Sequence, residues 1–135
     1  MSKDNFNIIF FELDNDACPV QSFLDSLDDK MAAKMYGMMD ILAEYGNELR
    51  MPYSEHLEDG IFEVRAKFGS NITRVLYFFY VGKTIVMTNG FVKKTQKTPK
   101  AQIELAKKYR KIWLFGHPCG QEMPISPVTK PVPLA

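Results

Sequence analysis

The fold is decided by residues 59–97, which read DGIFEVRAKFGSNITRVLYFFYVGKTIVMTNGFVKKTQK. Residues 61–67 alternate between apolar and polar side chains, and a strand repeats every two residues, so they are predicted to form a strand with one buried face. The apolar side is Phe62, Val64 and Ala66, and the polar side is Glu63, Arg65 and Lys67. Residues 74–81 are almost continuously apolar and aromatic, which is typical of a buried central strand, and residues 85–91 form a third apolar run.

Short turn signals join these strands. Residues 68–71 form a cluster of Gly, Ser and Asn, and Gly-Lys at 82–83 is typical of a tight hairpin. The three strands are therefore predicted to be antiparallel neighbours. In this arrangement Arg74 lies near the end of the adjacent strand that carries Arg65 and Lys67.

Apolar periodicity elsewhere predicts one more strand and three helices. The strand is residues 7–13, and the helices are residues 19–27, 28–45 and 98–111. Residues 47–59 show no regular pattern and are predicted to be an irregular loop. The order of elements indicates an α+β domain, in which an N-terminal helix hairpin and a C-terminal helix cover one face of an antiparallel sheet.

Capping residues predict the helix boundaries. Pro19 suits the first turn of a helix, Asp28 suits the N-cap of the second helix, and Gly46 suits its end. For the last helix, Thr98 is predicted to be the N-cap and Pro99 the first helical residue.

The composition changes after residue 112. Residues 113–135 contain five of the eight prolines, and we expect an extended or disordered tail without packing of its own. The chain is thus divided into a domain, residues 1–112, and a proline-rich tail, residues 113–135.

The whole chain has 135 residues, 46% hydrophobic content and a formal net charge of +1, as expected for one globular domain. No run reaches the roughly 18 apolar residues that a membrane helix needs, and the N-terminus does not resemble a signal peptide. We therefore expect a cytoplasmic protein with no membrane partner. Cys18 and Cys119 have no metal-ligand spacing and are expected to be free thiols.

The small net charge conceals an uneven distribution. Residues 1–59 contain 4 basic and 13 acidic residues, whereas residues 60–135 contain 13 basic and 3 acidic residues. A basic half indicates a polyanion or an acidic protein as partner. The alternative, which the sequence leaves open, is that the acidic half packs against the basic half.

The motifs of the common catalytic classes do not occur. There is no Gly-rich phosphate loop, HExxH, CxxC or GxSxG, and the two histidines, His56 and His117, are too far apart in sequence to suggest a metal site. We therefore expect no metal and no cofactor. The remaining candidates are cations, namely Arg65, Lys67, Arg74, Lys93, Lys94 and Lys97. Cations suit RNA cleavage by an internal 2′-hydroxyl, which needs positioning and charge stabilisation; the alternative is an ordinary solvated basic face.

Several segments resemble the RelE/HigB superfamily of type II toxin–antitoxin toxins in their order and spacing, closest to the phage-derived, HigB-like branch. They are residues 60–65 (GIFEVR), 74–78 (RVLYF) and 90–99 (GFVKKTQKTP), together with the helix opening at 19–27 (PVQSFLDSL). The resemblance covers residues 6–112. It implies a RelE-like, microbial ribonuclease-like fold and an mRNA endonuclease that acts on translated message in the ribosomal A site. It also implies a cognate antitoxin, commonly a helix-turn-helix DNA-binding protein, through which alone the toxin would meet operator DNA.

The resemblance also assigns roles to residues. Arg65 and Arg74 match the basic strand positions that the family uses for the scissile phosphate, and Lys93 matches the basic position after the last strand. We expect these three to be catalytic. Lys67, Lys94 and Lys97 are expected to contact the RNA backbone.

Three questions stay open at this point. The proton-transfer residue is unassigned, with Tyr109, His117 and Glu63 as candidates. The chain could instead be a non-catalytic, toxin-like protein that binds an antitoxin or RNA without cleavage. A weaker alternative is single-strand RNA binding through stacking on Tyr77, Phe79 or Tyr80. His56 is expected to be an ordinary surface residue.

Overall fold

A computed structural model describes residues 5–93 and 97–117. At Lys93 it describes the main chain but not the side chain. The strands are β1 (Asn7–Phe10), β2 (Ser54–Glu58), β3 (Ile61–Phe68), β4 (Asn71–Tyr80) and β5 (Thr84–Lys93). The helices are α1 (Pro19–Asp25), α2 (Asp29–Tyr45) and α3 (Lys100–Gly116), and a 3-10 turn, Gly46–Glu48, follows α2. The α+β class, the helix hairpin and the C-terminal helix are confirmed.

The five strands form one sheet in the order β1-β5-β4-β3-β2. The three strands predicted from residues 59–97 are confirmed as β3, β4 and β5, and they pair antiparallel. β1 lies at the edge and pairs parallel to β5, with Asn7 opposite Thr84, so the sheet is mostly rather than wholly antiparallel. A parallel neighbour needs a long crossover, and here the chain between β1 and β5 supplies it.

The prediction of an irregular loop over residues 47–59 is wrong, because β2 lies within it. β2 has the sequence SEHLE and pairs with β3 as the other edge strand. Only Ser54 among its side chains is buried, where its hydroxyl hydrogen-bonds the Tyr77 hydroxyl at 2.6 Å. An edge strand that is mostly polar carries little hydrophobic periodicity, which explains why the pattern was weak.

Helices cover both faces of the sheet, so the prediction that they share one face is wrong. α1 and α2 pack on one face around a core formed by Val20, Leu24, Met35, Met38, Met39, Leu42, Val64, Ala66, Val75, Tyr77, Ile85 and Met87. α3 packs on the opposite face around Phe11, Ile61, Leu76, Phe78, Val86, Ile103, Ala106 and Trp113. β4 contributes to both cores, because successive residues of a strand point to opposite faces.

The predicted cap of α2 is confirmed, whereas that of α3 is wrong. Asp28 is the N-cap of α2 and its side chain accepts a hydrogen bond from the Met31 N–H at 2.8 Å. α3 begins at Lys100 with Pro99 as its N-cap. The Thr98 hydroxyl instead turns towards the sheet, where Glu63 and Arg74 are hydrogen-bonded to it.

α3 continues past the predicted end at residue 111. It ends at Gly116, and Trp113 is 9% exposed because its ring packs against Phe78 and Tyr80. The expectation that residues from 113 onward lack packing is therefore wrong for residues 113–117. The rest of the predicted tail, residues 118–135, lies outside the described residues.

No helix in the described parts of the chain is both long and apolar enough to cross a membrane.

The buried Tyr77 hydroxyl makes stability depend on pH at the alkaline end. Burial raises the pKa of Tyr77 to about 12, while the hydrogen bond with Ser54 acts in the opposite direction. The folded state therefore holds this proton more tightly than the unfolded chain, in which tyrosine titrates near pH 10. We expect stability to be complete below about pH 10 and to fall as the pH rises towards 12, measured as Tm across that range. The fall should be shallower in Tyr77→Phe, and equal slopes would contradict this expectation.

Candidate functional site

Antiparallel pairing brings the two predicted catalytic arginines together. Arg65 on β3 lies directly opposite Arg74 on β4, and Glu63 is two residues before Arg65 on the same side of β3. This side is the one that α3 covers. The prediction that Arg74 lies beside Arg65 is confirmed.

Arg74 is enclosed rather than presented to solvent. Its side chain is 1% exposed, and its Nη1 donates to the Thr98 hydroxyl at 3.0 Å and to Glu63 Oε2 at 3.5 Å. The Thr98 hydroxyl in turn donates to the other oxygen of Glu63, which is fully buried. The segment that enters α3 therefore closes over Arg74, and a buried carboxylate neutralises its charge.

Arg65 lies at the edge of the same cluster. Its Nε donates to Glu63 Oε2 at 2.6 Å, and its Nη2 donates to Glu55 on β2. The Arg65 side chain is 18% exposed and that of Glu55 is 37% exposed. Of the two arginines, Arg65 is the one that a solute can reach.

The cluster as a whole is electrically balanced. We call Glu55, Glu63, Arg65, Arg74 and Thr98 the arginine–glutamate cluster. The charges of its two guanidinium groups are balanced by those of its two carboxylates. The sequence indicated a cationic surface here, but Arg65 and Arg74 do not form one by themselves. Here the acidic half of the chain, represented by Glu55, packs against the basic half.

Two of the predicted lysine positions, Lys67 and Lys93, lie in the strands next to this cluster. Lys67 is exposed and lies opposite Ile72, and the main chain of Lys93 lies opposite Ile72 from the other side. Lys97 is exposed just before α3. Lys94 lies outside the described residues.

Two members of the cluster were missed by the sequence reasoning. Glu55 stands in the strand that was predicted to be a loop, and Thr98 was predicted to be a helix cap. Glu55 lies in the sequence SEHLE, in which Leu57 is the one apolar residue, so no alternating pattern indicated a strand there. Nothing local indicated that Thr98 would contact β3 and β4.

Of the three proton-transfer candidates, Glu63 belongs to the cluster, whereas His117 and Tyr109 make their contacts elsewhere. His117 closes the far end of α3, where its ring stacks on Trp113 at 3.8 Å and Tyr80 donates a hydrogen bond to its carbonyl. Tyr80 is six residues along β4 from Arg74, about 20 Å at 3.3 Å per residue. Tyr109 stacks on Phe11 at 4.8 Å.

Of the other candidates, Glu63 is fully buried, which leaves Glu55 as the solvent-accessible carboxylate of the cluster. His56 caps a turn, since the Gly60 N–H donates to its Nε2 at 3.1 Å, and it is exposed as expected. Tyr77, the first of the aromatic stacking candidates, is buried.

A second cluster of ion pairs joins the β2–β3 turn to α3. Lys107 lies 2.5 Å from Glu58 and 2.9 Å from Asp59, and Lys100 lies 3.0 Å from Glu58. Hydrogen bonds from Lys107 first, and from Lys100, lower the pKa of Glu58, and the Lys107 hydrogen bond lowers that of Asp59. The same contacts raise the pKa of both lysines, so these cations are engaged within the protein.

In residues 5–93 and 97–117, no three His, Cys, Asp or Glu side chains are grouped so that they could hold a metal ion.

This architecture is that of a RelE-like α+β domain, with N-terminal helices, a mostly antiparallel five-stranded sheet and a C-terminal helix. A family model described as "Phage derived protein Gp49-like (DUF891)" matches residues 22–111. The chain belongs to this Gp49-like family, which is a HigB-like branch of the RelE superfamily of toxins. Membership in a toxin family implies a cognate antitoxin. No curated protein matches the chain.

Proposed function

We propose that this chain is the toxin of a type II toxin–antitoxin pair and that it inhibits translation by cleaving mRNA on the ribosome in the cytoplasm. The observation that carries the proposal is the family match over residues 22–111, which includes every residue of the arginine–glutamate cluster. The proposed partner is an antitoxin of the helix-turn-helix DNA-binding class, through which the complex would meet operator DNA.

The chemistry needs a cation next to the reacting phosphate. In cleavage by an internal 2′-hydroxyl, the hydroxyl gives up its proton as its oxygen bonds to phosphorus, the bond from phosphorus to the 5′-oxygen breaks, and the 5′-oxygen takes up a proton, which leaves a 2′,3′-cyclic phosphate and a 5′-hydroxyl. Negative charge accumulates on the phosphoryl oxygens, and a fixed guanidinium stabilises it strongly. Arg65 is proposed for this role, because it is oriented by Glu63 and reaches the surface beside the exposed Lys67. Arg74 and Lys93 are proposed to add to this charge stabilisation, Arg74 from its buried position beside Glu63, and Lys67, Lys94 and Lys97 are proposed to bind the RNA backbone.

The test is expression of the protein without its antitoxin. We expect growth arrest and new mRNA 5′ ends confined to translated frames. Arg65→Ala should lower the cleavage rate by about 10²–10³, because it removes one donor to the developing charge. Because Arg65 also pairs with the buried Glu63, the variant should lose some stability, so far-UV circular dichroism and Tm must show that it is folded under the assay conditions.

The matched control is Lys34→Ala, which removes an exposed cation from α2. It should arrest growth as the wild type does. Full toxicity of a well-expressed Arg65→Ala protein would argue against the proposed charge-stabilising role of Arg65. An intact transcriptome after expression of the wild type would refute the proposal that the chain is an endoribonuclease.

A second candidate function is supported by the burial of Arg74 and the pairing of both arginines with carboxylates. In this alternative the chain is a toxin-like protein that binds an antitoxin or RNA without cleaving RNA. It predicts a stable complex with the antitoxin, no new 5′ ends and no growth arrest.

A further inference from the structure

Arg65 is held by two carboxylates that differ in their surroundings. Glu63 is fully buried and also contacts Arg74 and Thr98. Glu55 is 37% exposed, and in the described parts of the chain Arg65 is its one ion-pair partner. The buried Glu63 is therefore held by several contacts, whereas the partly exposed Glu55 is joined to the cluster through Arg65 alone.

The outer edge of the Arg65 guanidinium is where an incoming anion would bind. Nε donates to the buried Glu63 and Nη2 donates to the partly exposed Glu55, so Glu55 is the carboxylate on the more accessible side of the guanidinium. Carboxylates and phosphates use the same fork of guanidinium N–H groups, so the two compete for one position.

We propose that Glu55 is a resident competitor at this position, and that an RNA phosphodiester binds Arg65 only by displacing it. The inference rests on the proposed function, because it concerns how the same site is regulated. The free protein is then held mainly in a closed state, and the apparent RNA affinity is lowered by the fraction of molecules that are open.

The exchange is feasible because the Arg65–Glu55 pair is partly exposed, and an ion pair that water reaches is weaker than a fully buried one. A solvated carboxylate–guanidinium pair contributes little and is screened by salt, whereas the buried Glu63 pair keeps Arg65 oriented throughout. Lys67 shares the face of Arg65, two residues along β3, and is exposed. A phosphate that replaced Glu55 would gain this second cation.

The test measures RNA binding separately from cleavage. The probe is a short, labelled single-stranded RNA with 2′-O-methyl groups, which lacks the nucleophile, and fluorescence anisotropy gives its Kd. We expect Glu55→Gln to bind about three- to tenfold more tightly than the wild type, because glutamine keeps the shape and loses the competing charge.

Two control variants make the result specific. Glu58→Gln removes the same charge from the same strand, but Glu58 pairs with Lys100 and Lys107 rather than Arg65, so its Kd should stay within about twofold of the wild type. The double variant Glu55→Gln/Arg65→Ala should bind RNA no more tightly than Arg65→Ala alone, because the guanidinium that Glu55 occupies is absent from both proteins.

Several results would overturn the inference. They are an affinity of Glu55→Gln equal to or weaker than that of the wild type, an equal gain in Glu58→Gln, or a gain that survives without Arg65. The proposed function is tested separately by mapping mRNA 5′ ends with the wild type. Cleavage by the wild type without a gain in Glu55→Gln would reject the competitor role alone.

Discussion

Replacing Arg74 with methionine should destabilise the protein by about 3–5 kcal/mol. The Arg74 side chain is 1% exposed and shares Glu63 with Arg65 and Thr98. Without Arg74, a fully buried carboxylate loses one of its two guanidinium partners, and removing one partner of a buried ion pair is costly. Urea denaturation followed by circular dichroism gives the change in free energy of unfolding.

The control is Lys34→Met, the loss of an exposed cation on α2, which should stay within about 0.5 kcal/mol of the wild type. In Arg74→Met/Glu63→Gln the buried charge is also removed, and part of the stability should return. Equal unfolding curves for Arg74→Met and Lys34→Met would show that Arg74 has no structural role. Until stability is measured, loss of toxicity in an Arg74 variant is not evidence for catalysis.

The second large effect is expected at Trp113. Trp113→Ala should cost about 3–5 kcal/mol, because the ring fills the core between α3 and the sheet, 4.5 Å from the Tyr80 ring and 5.9 Å from the Phe78 ring. A chain ending at residue 112 should be destabilised at least as much, whereas a chain ending at residue 117 should retain the stability that Trp113 contributes. Thermal and urea unfolding of the three proteins measure this.

Phe115 is the matched control for Trp113. It is also an aromatic residue of α3, two positions further on, but it is 90% exposed. Phe115→Ala should change the free energy of unfolding by no more than about 0.5 kcal/mol. If Trp113→Ala and Phe115→Ala were equally stable, the packing of the last turns of α3 would not contribute to the fold.

Much of the fold could be predicted because its signals are local. The alternation in residues 61–67, the apolar run that became β4 and the Asp28 cap of α2 each depend on side chains within a few positions. Turn chemistry between the strands predicted their antiparallel order, and with it the pairing of Arg65 with Arg74.

The environment of those arginines was beyond local reasoning. Arg74 carries a charge and was therefore predicted to lie on the surface. In the structure α3 covers its face of the sheet, and the Thr98 hydroxyl accepts a hydrogen bond from its guanidinium. The partner of Arg65 comes from β2, a strand whose polar sequence indicates a loop. Each contact joins residues at least ten positions apart, so no window on the chain contains both partners.

Residues 59–97 by themselves predict three strands, the turns between them and the pairing of Arg65 with Arg74. They do so because period-two patterning and turn preferences act over a few residues. Whether those arginines form a cationic surface was decided in three dimensions. The face that α3 covers, and the carboxylates that β2 and β3 bring to it, determine their charge balance and exposure. Burial and ion pairing depend on which distant element packs where, which is a property of the assembled core.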